Sequence, residues 1–184
     1  MQPGDPQPSA PRGRLRRWSL APFAVALALT AVAAGVPSKA AAAADSMGGG
    51  PAQVVYHADF KNPRRFSAML TSVYNMVTTY RNQLRDYDVR IVFNSYGIRF
   101  LTDNKLKGTP FEADAALAER RDNLKGRLNT LQDTYNVKLE LCDITRERVG
   151  LPKGKLYDGV DSVASGVVRV AELQNKGFAY IKIE

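Results

Sequence analysis

The feature that most constrains the fold of this chain is the regular alternation of short apolar segments with longer amphipathic ones after about residue 50. The short segments predict strands, because they are rich in β-branched and aromatic residues. The longer segments place apolar side chains at steps of three and four, which is typical of helices. This order predicts one α/β domain, a mostly parallel sheet with helices on both sides. The predicted strands cover residues 53–57, 89–94, 137–142, 160–164 and 178–183, and the predicted helices cover 63–86, 113–135, 143–149 and 166–176.

The predicted helices carry recognisable ends and apolar faces. Asn62 and Pro63 suit the N-cap and first turn of the first helix. Ser165 suits the start of the last helix, and Gly177 suits its end. The faces predicted to point inward are Phe66, Leu70, Val73, Val77, Tyr80 and Leu84 in the first helix, Leu117, Leu124, Leu128, Leu131 and Tyr135 in the second, and Val167, Val170, Ala171 and Leu173 in the last.

Residues 1–44 have the order of a secretory signal peptide. An arginine-rich start is followed by the uncharged run "WSLAPFAVALALTAVAAGV" and by an Ala-rich segment with several A-x-A cleavage frames. The pair Arg16-Arg17 resembles a twin-arginine export signal. The sequence therefore predicts a periplasmic or otherwise exported protein, cleaved near residues 42–44, with a flexible lead-in over 45–52. An uncleaved anchor is the alternative, but an Ala-dominated run is weak for a permanent membrane span.

Charge and cysteine content narrow the function classes. The formal net charge is +8, and the arginines of residues 1–44 supply about half of it. The remainder is only mildly basic, with acids interspersed, which does not indicate a nucleic-acid-binding surface. The chain has one cysteine, Cys142, so no disulfide forms within it. In an oxidising compartment a single thiol is buried, paired between chains, or reactive.

Polar residues lie at the ends of the first three predicted strands. Sites in open α/β sheets form beyond the carboxyl ends of the strands, so these residues are the candidate site. No G-x-G-x-x-G follows the first strand, so the phosphate turn of a dinucleotide site is missing. We expect no cofactor. The candidates are Cys142 as the catalytic residue, with His57, Asp59, Asn94, Gly97, Asp143 and Arg146 as binding residues and Asn75 from the first helix.

Two interpretations of Cys142 stay open. As the residue before a short helix, it would meet backbone N–H groups, which favour an anion, and Arg146 would add positive potential. Asp143 opposes this unless its carboxylate caps the helix. Alternatively, Cys142 packs as a small inert hydrophobic residue.

The other candidates also have plainer interpretations. His57 is the only histidine, and with Asp59 it lacks the further ligands that a zinc site needs, unless subunits share one. We therefore expect no metal, and a histidine hydrogen-bonded at a strand end is the simpler account. Asn94 and Gly97 could belong to an anion-binding turn, as backbone nests do. Asn75 orients a loop or ligand, or makes a structural hydrogen bond.

Five segments together resemble the DsrE/DsrF-like family of sulfur-relay and sulfur-oxidation proteins. They are "VVYHAD", "RFSAMLTSVYNMV", "VRIVFNSYGIRFL", "VKLELCDITRERVGL" and "GVVRVAELQNKGFAYIKI". The resemblance covers residues 53–184 and implies a flavodoxin-like three-layer sandwich and a homotrimer or homohexamer. It also implies that the residue matching Cys142 carries sulfur as a persulfide. Export sets this chain apart from the relay members, which leaves their usual partners in doubt.

Two functions follow as hypotheses. The first is an exported sulfur carrier or sulfurtransferase-like protein that uses a persulfide on Cys142, with a sulfur donor or acceptor protein as partner. The second is a non-catalytic oligomeric binding or scaffold module of the same fold, in which Cys142 only packs.

Overall fold

The computed structural model describes residues 50–184, so the predicted signal peptide and residues 45–49 of the lead-in lie outside it. The strands are β1 (Ala52–Ala58), β2 (Tyr87–Phe93), β3 (Lys138–Cys142), β4 (Val160–Val163) and β5 (Ala179–Ile181). The helices are α1 (Pro63–Asn82), α2 (Ala115–Asp133), α3 (Asp143–Arg148) and α4 (Gly166–Asn175), with 3-10 turns at Ser95–Phe100 and Lys153–Lys155.

The five strands form one parallel sheet in the order β4-β3-β2-β1-β5. The prediction of an α/β fold with a five-stranded, mostly parallel sheet is confirmed. The register pairs Ala58 with Phe93, and Phe93 with Leu141, so β1, β2 and β3 end level with one another. The residues that follow these three strands consequently meet at one edge of the sheet.

One face of the sheet is covered by α1 and α2 and holds the larger apolar core. The predicted inward faces of these two helices supply much of it, since Phe66, Leu70, Val73, Leu128 and Leu131 are all buried. From the sheet, alternate residues such as Val54, Tyr56 and Ala58 point to the same side. Inside this layer the rings of Phe66 and Phe100 stack, with centroids 4.1 Å apart.

The opposite face is covered by α4 and combines an apolar half with a charged half. Val170 and Leu173 of α4 pack on Val55, Val92 and Phe178. Beside them lies a charged cluster, which we call the Glu140 cluster. Its members are Glu140, Arg90, Arg169 and Asp88.

Glu140 is the centre of that cluster and is only 3% exposed. Its carboxylate accepts from Arg90 Nη1 at 2.7 Å and from Arg169 Nε and Nη2 at 2.7 and 2.8 Å. Burial alone would raise the pKa of Glu140, but the hydrogen bonds from Arg169 and Arg90 outweigh it and hold the pKa below the ordinary value. The cluster therefore fixes α4 to β2 and β3 through charge-assisted hydrogen bonds.

The first helix ends earlier than predicted. It stops at Asn82 rather than 86, and Leu84 is 94% exposed instead of packing inward. Leu84 adopts a left-handed φ of 53°, while Arg85 N–H donates to Tyr80 C=O and Leu84 N–H donates to Arg81 C=O. This is a Schellman ending built on leucine. Because glycine usually marks such an ending, the sequence carried no signal for it.

Two further predictions differ from the structure in detail. In α4, Val170 and Leu173 are buried as predicted, but Val167 and Ala171 are exposed, because the helix touches the sheet along a narrower line. The predicted helix over 113–135 is α2, which starts after Asp114; the Asp114 side chain accepts from Leu117 N–H at 2.9 Å and caps it. Within residues 50–184, no helix is both long and apolar enough to cross a bilayer.

Candidate functional site

Cys142 is the last residue of β3 and stands at the N-cap position of α3. It is 6% exposed and unpaired with any other sulfur. Along β3 the side chains alternate, so Cys142 points to the same side of the sheet as Glu140, the side that α4 covers. The surroundings of the thiol are therefore set by the start of α4 and by the ends of β1 and β2.

Gly166, the first residue of α4, brings the helix start against Cys142. A Cβ atom on Gly166 would lie 3.0 Å from Cys142 Cβ and 1.7 Å from the Asn94 side-chain oxygen Oδ1. Cys142 and the Asn94 amide are thus neighbours across the space that glycine leaves open. Since α4 has ten residues and its first turn carries a partial positive charge, this side of the thiol is electropositive.

Asn94 lies near Cys142 and contacts His57. Asn94 is 7% exposed, and its Nδ2 lies 3.0 Å from His57 Nε2. The other ring nitrogen, His57 Nδ1, lies 3.1 Å from the Tyr180 hydroxyl. Burial lowers the pKa of His57; nearby Asp59 acts in the opposite direction and Lys182 in the same one. A neutral imidazole accordingly links the amide to Tyr180 near neutral pH.

Arg146 and Asp143 form a pair of their own beside the thiol. Arg146 Nε donates to Asp143 Oδ1 at 2.6 Å, and its other nitrogens bind Glu147 Oε1 and the Leu151 carbonyl. This contact with Arg146 lowers the pKa of Asp143. The positive charge expected from Arg146 is therefore matched by carboxylates, and the Asp143 side chain binds Arg146 rather than capping α3.

The turn after β2 does not offer the anion nest considered from the sequence. The N–H groups of Asn94, Ser95 and Gly97 already donate to the Ala58 carbonyl, the Thr145 hydroxyl and the Asn94 carbonyl. A Cβ on Gly97 would lie 2.1 Å from the Ala58 carbonyl oxygen. Gly97 thus permits close packing of the turn on β1, and this packing places Asn94.

Two of the candidates make no hydrogen bond within this cluster, although Asp59 acts on His57 through its charge. Asn75 is exposed on α1, three turns beyond its start, and its carbonyl accepts from the Thr78 and Thr79 hydroxyls. Asp59 Oδ2 lies 3.4 Å from Lys182 Nζ. Among residues 50–184, no group of three His, Cys, Asp or Glu side chains is arranged to hold a metal ion.

A sequence profile of the DsrE/DsrF-like family matches residues 38–183, most of the chain. The chain belongs to the DsrE/DsrF-like family. No curated protein matches it in a sequence comparison. Among solved structures, a protein of unknown function, MTH1491 from Methanobacterium thermoautotrophicum, is 24% identical with a TM-score of 0.54, and covers 71% of this chain and 98% of its own. The YchN protein from E. coli is 19% identical with a TM-score of 0.47, over 71% and 98% of the two chains.

The solved relative MTH1491 shows the fold of this DsrE/DsrF-like protein, whereas the site rests on its own residues. The structure gathers Cys142, Asn94 and His57, all three named from the sequence. It adds Tyr180 and Gly166, which sequence reasoning missed. The sequence carried a weak indication of Tyr180, because the side chains on one face of a parallel strand beside β1 lie next to His57. Gly166 directly follows the helix-capping Ser165. A better helix former would be expected at that first helical position, unless the helix start packs closely against another group.

The chemistry available to this DsrE/DsrF-like protein is that of a thiol that is largely buried from solvent. The buried Asn94 amide and the start of α4 lie beside Cys142, and reactive cysteines in proteins are found at helix N-termini. Ile144 of α3 and Val167 and Val168 of α4 are exposed apolar side chains. These three residues flank Cys142 and Gly166 in sequence.

Proposed function

We propose that this protein is an exported sulfur carrier that holds sulfane sulfur as a persulfide on Cys142. The family to which the chain belongs is of the sulfur-relay type. The observation that carries the proposal is the meeting of Cys142, the buried Asn94 amide and the start of α4 around one point. A cysteine that served only as core would not need a buried amide and a glycine gap beside it.

The reaction proposed needs no external oxidant or reductant. The Cys142 thiolate attacks the terminal sulfur of a donor persulfide, R–S–SH, and a new S–S bond forms as that of the donor breaks. The donor leaves as the thiolate R–S⁻, and Cys142 carries the S–SH group. Transfer to an acceptor thiolate reverses these steps and regenerates the Cys142 thiolate.

Mass spectrometry of the intact protein tests the proposal. After incubation with inorganic polysulfide, we expect one added sulfur atom, located on the peptide that contains Cys142 and removed by a reducing agent. Cys142→Ser is the matched control and should gain none. Absence of the adduct from the folded wild-type protein, with several persulfide donors, would exclude a carrier role.

We propose as a second function a non-catalytic oligomeric binding module, favoured by the exposed apolar side chains of Ile144, Val167 and Val168, which we call the apolar rim. In this version the rim is covered by a partner and Cys142 only packs. Ile144→Lys should then reduce the oligomer size measured by light scattering, while Cys142→Ser should leave both the oligomer and the function unchanged. The carrier proposal expects the opposite result for Cys142→Ser, namely loss of function with the oligomer intact.

We further propose that residues 1–44 direct export. Fusion of these residues to a reporter should place it outside the cytoplasm and yield cleavage near residues 42–44, read by N-terminal sequencing. Replacement of Arg16-Arg17 by two lysines should block export if the route is the twin-arginine one, and should have little effect on general secretion.

A further inference from the structure

The Asn94 side chain has one end bound and the other end unsatisfied. Its Nδ2 lies 3.0 Å from His57 Nε2, while Oδ1 is buried and has no hydrogen-bond partner among residues 50–184. A buried polar atom without a partner loses its hydrogen bond to water and gains none in the folded protein, which is unfavourable. Such an atom is uncommon in native structures, and a catalytic role or a partner supplied in another state is one explanation for it.

The unsatisfied end lies against Gly166 at the start of α4, on the side of the amide where Cys142 is found. Asn94 Oδ1 would lie 1.7 Å from a Cβ on Gly166, and Cys142 Cβ would lie 3.0 Å from that same point. The amide therefore stands between His57 on one side and the Cys142–Gly166 contact on the other. Whichever group the amide turns toward Cys142, its opposite group faces His57.

We infer that Asn94 is a positioning residue whose amide reverses when the sulfur on Cys142 becomes anionic. This inference rests on the proposed function, in which Cys142 passes through thiolate and persulfide states. With a neutral thiol, Oδ1 faces the sulfur and Nδ2–H donates to His57 Nε2. With an anionic sulfur, Nδ2–H faces the sulfur and donates to it, and Oδ1 accepts from His57 Nε2–H.

The reversal requires His57 to change its tautomer, and its partners permit this. In the first arrangement the imidazole proton is on Nδ1 and is donated to the Tyr180 hydroxyl; in the second it is on Nε2, and the Tyr180 hydroxyl donates to Nδ1. Tyr180 is 38% exposed, so its hydroxyl exchanges protons with solvent. The thiol proton also leaves to solvent, and the His57–Asn94–Tyr180 chain stays neutral throughout.

The charge on residue 142 can be varied without any sulfur transfer. Cys142→Asp places a carboxylate beside the amide, and Cys142→Ser places a neutral group there. Because His57 is the only histidine in the chain, ¹⁵N labelling of histidine gives one pair of ring-nitrogen signals, which report the tautomer directly. We expect mainly the Nδ1–H form in Cys142→Ser and mainly the Nε2–H form in Cys142→Asp.

Removal of the amide should break this coupling. In the Asn94→Ala background, the two residue-142 variants should show the same His57 tautomer. The same tautomer in both variants with Asn94 present would overturn the inference, even if the wild-type protein accepts sulfur. Coupling without any sulfur adduct would support the inference and reject the carrier function, so the two failures are distinguishable.

A kinetic measurement covers the case in which Cys142→Asp does not fold. Alkylation of Cys142 by iodoacetamide in the folded protein proceeds through the thiolate. We expect Asn94→Ala to slow this alkylation about tenfold, because the charged thiolate loses one hydrogen bond. Asn94→Ser keeps a hydroxyl donor and should recover part of the rate. Equal rates in Asn94→Ala and the wild-type protein would overturn the inference.

Discussion

Replacement of Glu140 by glutamine should be among the most destabilising single changes beneath α4. Glu140 is buried and binds two guanidinium groups at 2.7–2.8 Å. Glutamine keeps the shape of the side chain but removes its negative charge. The positive charges of Arg90 and Arg169 are then less neutralised and repel each other. Arg90 retains Asp88 at 2.6 Å, whereas among residues 50–184 the ion pair left to Arg169 is the one with the exposed Glu172 at 3.8 Å.

The expected cost follows from this geometry. Removing one partner of a buried ion pair costs about 3–5 kcal/mol of unfolding free energy, and we expect about 3 for Glu140→Gln because the amide can still accept one hydrogen bond. Arg169→Met should cost less, about 2 kcal/mol, since Glu140 keeps its bond to Arg90. Glu172→Gln changes only an exposed pair and should cost about 0.5 kcal/mol or less.

Urea denaturation at pH 7, followed by circular dichroism, measures these differences. The order expected is Glu140→Gln, then Arg169→Met, then Glu172→Gln. The pKa of Glu140 is below its ordinary value of 4.5 in the folded protein, so its stabilisation is complete above that pH and is lost as pH falls through the folded value. The gap between wild type and Glu140→Gln should shrink on acidification. A cost for Glu140→Gln no greater than for Glu172→Gln would refute the reasoning.

Three further predictions concern the site and its surroundings. Gly97→Ala should destabilise the fold by about 2–3 kcal/mol, because its Cβ would lie 2.1 Å from the Ala58 carbonyl oxygen. Gly126→Ala in α2 has open space around it and should stabilise the fold by about 0.5–1 kcal/mol. Thermal melts compare the two variants, and equal shifts of the melting temperature would contradict the packing argument. Burial lowers the pKa of His57 in the folded protein, so the unfolded chain binds the imidazole proton first as the pH falls below about 6.5. The free energy of unfolding should therefore decrease below that pH, and His57→Gln should lack that decrease. Melting temperatures of the two proteins, measured over the same pH range, test this prediction. Asn62→Ala should cost about 1 kcal/mol in urea denaturation, because the Asn62 side chain accepts from the N–H groups of Arg64 and Arg65, and no loss would show that solvent replaces the cap.

The elements of the fold could be predicted because their signals are local. Phe66, Leu70, Val73 and Val77 recur at helical spacing, and all four are buried. The early end of α1 could not be predicted, because a left-handed Leu84 depends on hydrogen bonds that no residue type announces.

The site was predicted in part, for a related reason. Strand ends named Cys142, Asn94 and His57, since parallel strands bring their carboxyl ends together. Tyr180 lies on β5, so its contact with His57 depends on the order of the strands in the sheet. Gly166 lies in the helical layer above the sheet, so its contact with Cys142 depends on where α4 packs along the strands. Arg146 was expected to act on Cys142, but the sequence did not reveal that Asp143 would bind it first.

One helix serves both the stability and the reactive side of this molecule. Arg169, held by Glu140, and Gly166, which lies against Cys142, are three residues apart on α4, less than one turn. A change that loosens the ionic anchor also lets the neighbouring backbone drift from the sulfur. A substitution beneath α4 is therefore expected to act on both folding and the site, and one that improves folding there can still misplace the groups beside the thiol.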